Sequence, residues 1–185
     1  MKRLLLCAVA LAWAVPAYAQ EKTLVSEDFH SGGFGGPVVK FSEVANEFAV
    51  FAGGRGGWIV NHTFVIGAGG YGLANDIRFS DSLVGRDVEF GYGGLELEYI
   101  NSSDNLVHFT VYLLIGGGGL SGTVLEEESV FVMEPALNGE LNITKFFRLS
   151  AGVGYRWVTA VDNPGYDDGD FSALYGQVTA KFGAF

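Results

Sequence analysis

Three histidines, several acidic clusters and two glycine-rich stretches are the residues whose types allow chemistry in this chain. A catalytic histidine needs a nucleophile or an acid in reach of its ring. His30 lies near the N-terminus, His62 sits in the tight turn Asn61-His62, and His108 faces inward with Thr110 near the start of its strand. These contexts predict no catalytic residue. Asp162, Asp167, Asp168 and Asp170 form one acidic group; Asp76, Asp81 and Asp87 form a second and Glu126, Glu127 and Glu128 a third. Their oxygens suit Ca²⁺ or Mg²⁺, but EF-hand spacing is absent, so a solvated acidic surface is expected, with no metal and no cofactor. Gly116 to Gly119 and the pairs Gly53-Gly54 and Gly56-Gly57 precede neither a Lys-Ser/Thr nor a helix, which removes the phosphate-loop reading. The formal charge of −10 removes nucleic acid as a partner, since that needs a basic face. The tripeptides starting at Asn61, Asn101 and Asn142 match a glycosylation pattern, but all three fall where turn residues are expected.

The elements that position these groups begin with an export signal. Lys2 and Arg3 precede an uncharged apolar run from Leu4 to Val15, and Pro16 and the small-x-small site Ala17-Tyr18-Ala19 follow. This is a secretory signal cleaved before Gln20, too short for the roughly 20 residues of a membrane-spanning helix. The single cysteine, Cys7, lies inside it, so residues 20–185 carry no disulfide or thiolate metal site. The chain has 28 glycines, 14% aromatic residues and a mean hydropathy of +0.27, yet no later apolar run of spanning length. Apolar content without apolar runs means alternation.

Alternation is clearest in the second half of the chain. Val107 to Ile115, Phe131 to Leu141, Phe147 to Trp157 and Leu174 to Phe182 each read with period two and one wholly non-ionic face. Gly35 to Glu43, Phe48 to Val60, Thr63 to Leu73 and Val88 to Ile100 complete eight strands; Thr63 to Leu73 is apolar on both faces and has no readable orientation. The connections at Asn61-His62, Asn101 to Asn105 and Asn142 to Lys145 are short. Those at Ala74 to Asp87, Gly116 to Glu128 and Thr159 to Asp170 are long, while Val44 to Glu47 is a short exception. Short turns on one side and long loops on the other are the pattern of transmembrane barrels. The fold class expected is all-β: a closed eight-stranded antiparallel up-and-down transmembrane β-barrel. Pro135 inside a strand removes a ladder donor and counts against a membrane strand there, an objection that a bulge would meet.

In such a barrel the apolar faces look outward, with Trp58, Tyr99, Phe146, Phe147, Tyr155, Trp157 and Phe182 as interfacial girdles. The inward faces then hold Lys40, Arg55, Arg148, Arg156 and Lys181 against Glu96, Glu98, Glu134 and Glu140. Eight strands leave room only for side chains, and unpaired charges there are costly, so a paired plug is expected over an ion or proton path.

The chain ends Lys181-Phe182-Gly183-Ala184-Phe185. A C-terminal aromatic on a last amphipathic strand resembles the assembly signal of bacterial outer-membrane proteins. With the eight strands, residues 35–185 resemble the small-barrel group that includes OmpX and the transmembrane domain of OmpA. Phe185 is out of phase with Leu174 to Phe182, so a bulge near Gly183 or a position beyond the pairing is expected. The resemblance implies a layout of signal peptide 1–19, periplasmic tail 20–34 and barrel 35–185. It implies outer-membrane lipid and the barrel-assembly machinery as partners, with an extracellular ligand at the acidic loops left open. A non-enzymatic envelope or surface-binding role follows. The alternatives are a small channel, a soluble lipocalin-like barrel and a lipid-modifying hydrolase. The last uses a His and a Ser at the outer rim, where His108 does not lie.

Overall fold

The computed structural model describes residues 30–77, 88–122, 128–162 and 166–185. The expected signal peptide, Asp81, Asp87, Glu126 and Glu127 lie outside them. Eight antiparallel strands run β1 Ser31–Val44, β2 Glu47–Val60, β3 Phe64–Leu73, β4 Val88–Ile100, β5 Val107–Gly122, β6 Glu128–Asn142, β7 Phe147–Thr159 and β8 Ala173–Ala184. Each pairs with its neighbours in sequence, and β8 returns to β1, so the sheet closes into an up-and-down barrel. One short helix, α1 Asp168–Phe171, lies in the connection before β8.

Register fixes the size of the barrel. Stepping across paired residues from Ser31 passes Val60, Phe64, Tyr99, Val111, Leu137, Val153 and Gly176 and returns to β1 at Phe41, a stagger of ten residues. Ten residues over eight strands correspond to a strand tilt of about 41° and a wall radius of about 8 Å. A radius of that size leaves space for side chains and little more.

Both chain ends of the described barrel lie at one end, here the terminal end. The turns there span 61–63, 101–106 and 143–146; the connections at the opposite, distal end span 45–46, 74–87, 123–127 and 160–172. The expected asymmetry is present except across β5 and β6. There β5 continues to Gly122, so the long loop expected from Gly116 reduces to 123–127. The glycines carry no side chain to report alternation, which hides the strand. The backbone shows it: Gly116 to Gly119 pair in turn with Gly94 to Gly91. β1 likewise starts at Ser31, inside the expected tail, because Gly32, Gly33 and Gly35 mask its period.

Neither of the two prolines in the strands, Pro37 and Pro135, shifts the register. Pro135 falls where the β6–β7 ladder skips from Met133↔Trp157 to Ala136↔Gly154, with the same offset on both sides. The missing donor therefore interrupts the ladder locally, and the strand accommodates Pro135 without a bulge. Pro37 does the same on the β1–β8 seam.

The β1–β2 hairpin turns through Ala45 and Asn46, at φ 48° and 65°. Both central residues left-handed is the type I′ turn, whose twist matches the strands it joins. Asn tolerates that region and Ala does not. Ala45→Gly is expected to raise the unfolding free energy by about 0.5–1 kcal/mol, the strain relieved less the added freedom of the unfolded chain. Urea unfolding of the refolded protein reads this shift directly.

Candidate functional site

The outward face is apolar. Phe41, Trp58, Ile66, Leu97, Phe109, Val111, Phe131, Leu137, Val153, Trp157, Leu174 and Phe182 are all exposed there. Aromatics gather toward the strand ends: Trp58, Phe64, Tyr99, Phe146 and Phe182 at the terminal end, and Phe41, Phe48, Phe131 and Trp157 toward the distal end. Phe147 stacks on Phe182 across the β7–β8 pair at 4.8 Å, and Tyr155 lies against Trp157 at 4.8 Å.

The inward face carries the ionisable groups. Lys40, Arg55, Glu96, Glu98, Glu134, Glu140, Arg148, Arg156 and Lys181 all point into the barrel, and none is more than 7% exposed. Eight of them form ion pairs. At the terminal end Arg148 Nη1 donates to Glu140 at 3.1 Å. Lys181 Nζ bridges Glu140 at 2.5 Å and Glu98 at 2.8 Å. Arg55 continues the chain, with Nε on Glu96 at 2.7 Å and Nη2 on Glu98 at 2.9 Å. One level higher, the Lys40 ammonium pairs with the Glu134 carboxylate. It also lies over the Tyr71 ring, 3.4 Å from its centroid.

Tyrosines complete the network. Tyr71 and Tyr112 donate to Glu96 at 2.5 and 2.8 Å, and Tyr92 donates to Glu134 at 2.6 Å. Each of the four inward carboxylates therefore accepts from at least two donors. That is the condition under which buried charges are tolerated. His108 belongs to this network, with Nε2 3.3 Å from Glu140 and Nδ1 3.1 Å from the Asn105 carbonyl. Its ring is held on both sides, at the terminal end.

Apolar layers lie below and above the charges. Phe34, Ile59, Val65 and Ile100 form a floor at the terminal end, and Phe185 packs against them. Phe185 follows the last paired residue, Ala184, and continues the inward phase of Lys181 and Gly183. Of the two expected positions it takes the one beyond the pairing. It stacks on Phe34 at 6.3 Å and lies 4.1 Å from the Arg148 guanidinium. Phe182 is outward on the same strand. Above the charges, Phe51, Phe90, Leu120, Val132, Val158 and Phe171 form an apolar distal layer.

Arg156 departs from the expectation that all inward charges pair. Among the described residues no carboxylate lies within ion-pair distance of it, and its hydrogen bonds go to carbonyl and hydroxyl oxygens instead. The reason is its level: it sits in the apolar distal layer, with Phe51 4.6 Å from the guanidinium, above the last carboxylate, Glu134. Sequence reasoning also misses Tyr71, Tyr92 and the distal aromatics. Tyr71 lies on the strand that is apolar on both faces. Tyr112 is legible, being in phase with His108 and Thr110.

The acidic groups stand apart. Glu128, Asp162, Asp167, Asp168 and Asp170 lie at the distal end, and Asp76 lies at that end on the β3–β4 connection. Asp167 and Asp170 form the capping box that starts α1. Among the described residues no group of three or more His, Cys, Asp or Glu is arranged to hold a metal.

An apolar wall, a charged and hydrogen-bonded interior and eight up-and-down strands define a fold class: the small closed eight-stranded β-barrel of transmembrane type. The apolar-out, charged-in arrangement is the reverse of a lipocalin-like barrel. Solved structures of that class are similar to this chain. Neisserial surface protein A matches with a TM-score of 0.55 at 11% identity, over 85% of this chain and 99% of that one. Ail, the attachment invasion locus protein of Yersinia pestis, matches with a TM-score of 0.51 at 13% identity, over 83% and 97%. A major outer membrane protein from Thermus thermophilus matches with a TM-score of 0.50 at 10% identity, over 83% and 100%. No protein-family model and no curated protein matches the chain. At these identities the likeness is one of fold.

Proposed function

We propose that this chain is an integral outer-membrane barrel, closed to solutes, that acts through its wall and distal face and performs no catalysis. One observation carries the proposal: among the described residues the interior stacks an apolar floor, a paired charge network and an aromatic distal layer, all of buried side chains. The apolar wall supports a lipid environment, because every strand pairs on both sides and the closed sheet has no open edge to hydrocarbon. Residues 1–19 act as the export signal. Phe182 and the terminal Phe185 serve recognition by the barrel-assembly machinery. The termini then face the periplasm, and the distal face looks outward. That face carries Glu43, Glu47, Asp76, Glu89, Asp162, Asp167, Asp168 and Asp170, with no exposed Lys or Arg among its described residues. Its role is envelope-structural or the binding of a cationic extracellular ligand.

The protein refolded into planar bilayers is expected to give no stable unitary currents. Reproducible conductance steps would overturn the closed interior. Fractionation with the outer membrane and a heat-modifiable gel mobility are expected alongside. A soluble periplasmic pool without that mobility shift would overturn the membrane placement.

A further inference from the structure

We infer that residues 166–172, which carry α1 ahead of β8, form a stopper seated in the distal mouth of the barrel, and that Arg156 is the latch that holds it. This inference rests on the closed barrel proposed above and concerns how its outer end is shut.

Arg156 is fully buried, and among the described residues its Nη1 has no hydrogen-bond partner. A buried guanidinium without a carboxylate is expensive, and an apolar side chain of similar length would fill the same space at lower cost. What arginine adds is reach, since its planar fork directs donors at several acceptors at once. Here Nε donates to the Phe171 carbonyl at 2.9 Å, in α1. Nη2 donates to the Glu43 carbonyl at 2.9 Å and Ser42 Oγ at 3.3 Å, near the end of β1. One side chain on β7 thus ties the segment entering β8 to the rim of β1. Phe171 is thereby fully buried, edge-on to Phe90 at 5.8 Å.

The remaining attachments are also at the rim. Ala45 N–H donates to the Asp170 carbonyl at 2.6 Å, and Val158 N–H donates to Ser172 Oγ at 2.9 Å. The ion pairs lower in the barrel include neither Arg156 nor the stopper. The stopper therefore lifts without breaking the network beneath it. Lifting it opens the apolar distal layer to the outside while the middle of the barrel stays shut.

The test is thiol labelling of single-cysteine reporters in a Cys7→Ser background, on protein folded in vesicles with a membrane-impermeant reagent. Val132→Cys places the reporter under the stopper, and Val65→Cys places a second in the floor; both positions are buried. With Arg156→Met, labelling of the Val132→Cys reporter is expected to rise about tenfold or more while the floor reporter stays protected. Arg156→Lys, a point charge with a shorter reach, is expected to fall between. Labelling within about twofold of the parent in a folded Arg156→Met barrel, or an equal rise at both reporters, overturns the latch. If Arg156→Met does not fold, Phe171→Ala removes the stopper ring instead, and an unchanged distal reporter then overturns the proposal. Conductance of the parent protein tests the closed barrel separately, so the two readings fail on different measurements.

Discussion

Glu134→Gln is expected to lower the unfolding free energy by about 3–5 kcal/mol, the cost of leaving a buried charge without its partner. The Lys40 ammonium is fully buried, and Glu134 is the carboxylate it pairs with. A glutamine keeps the shape and an acceptor for the Tyr92 hydroxyl, now 2.6 Å away, but it cannot balance the charge. The Tyr71 ring face remains against Lys40, but that contact is already made in the parent and so does not offset the lost carboxylate. Bulk water does not reach the pair to compensate, because both side chains are wholly buried. The double variant Lys40→Met, Glu134→Gln removes charge from both partners. It is expected to return to within about 1–2 kcal/mol of the parent. Urea unfolding in lipid vesicles of the parent, both single variants and the double gives the coupling. Equal stability of Glu134→Gln and the parent would mean that the pair is not what holds this level of the barrel.

The sequence makes this pair legible in one way and not in another. Alternation places Glu134 in the charged phase of its strand, and Lys40 opposes Val39 and Phe41 in the same manner. A period of two tells which face a residue takes. It does not tell height, and height decides pairing. Height follows from the stagger of ten residues around the barrel, which only the register supplies. That is why alternation alone predicts a partner for Arg156: it shares a face with Arg148 on β7, yet Arg148 meets Glu140 near the floor while Arg156 rises into the aromatic layer. Glycine hides the rest. The outward and inward positions of Gly116 to Gly119 differ only in where an absent side chain would point, so the strand reads as a loop. β7, Phe147–Thr159, with large residues on one face, is legible to within two residues of its ends.

Gly36→Val is expected to prevent closure of the barrel, while Gly35→Val, one residue away, is tolerated. The seam between β1 and β8 is the one pairing of strands distant in sequence, and it carries the largest loop-closure cost. It is also interrupted: pairing runs from Gly33 to Gly35 and resumes at Val38, with Gly36 and Pro37 between. At Gly36 the two backbones approach so closely that a Cβ would stand 1.7 Å from the Ala180 carbonyl oxygen and 2.8 Å from its carbon. Backbone cannot rotate away as a side chain can, so the strands must separate. An outward Cβ at Gly35 meets its nearest atom, the Arg55 carbonyl oxygen, at 3.9 Å, an ordinary contact. In hydrocarbon an open seam exposes a row of unpaired N–H and C=O groups at several kcal/mol each, so no partly open barrel is stable there. Gly36→Val should therefore cost at least about 3 kcal/mol and abolish the heat-modifiable band, against about 0.5 kcal/mol or less for Gly35→Val. Gel mobility after refolding into vesicles separates the two outcomes. A Gly36→Val chain that regains the folded band in full yield would show that the seam tolerates a wider strand spacing than the register implies.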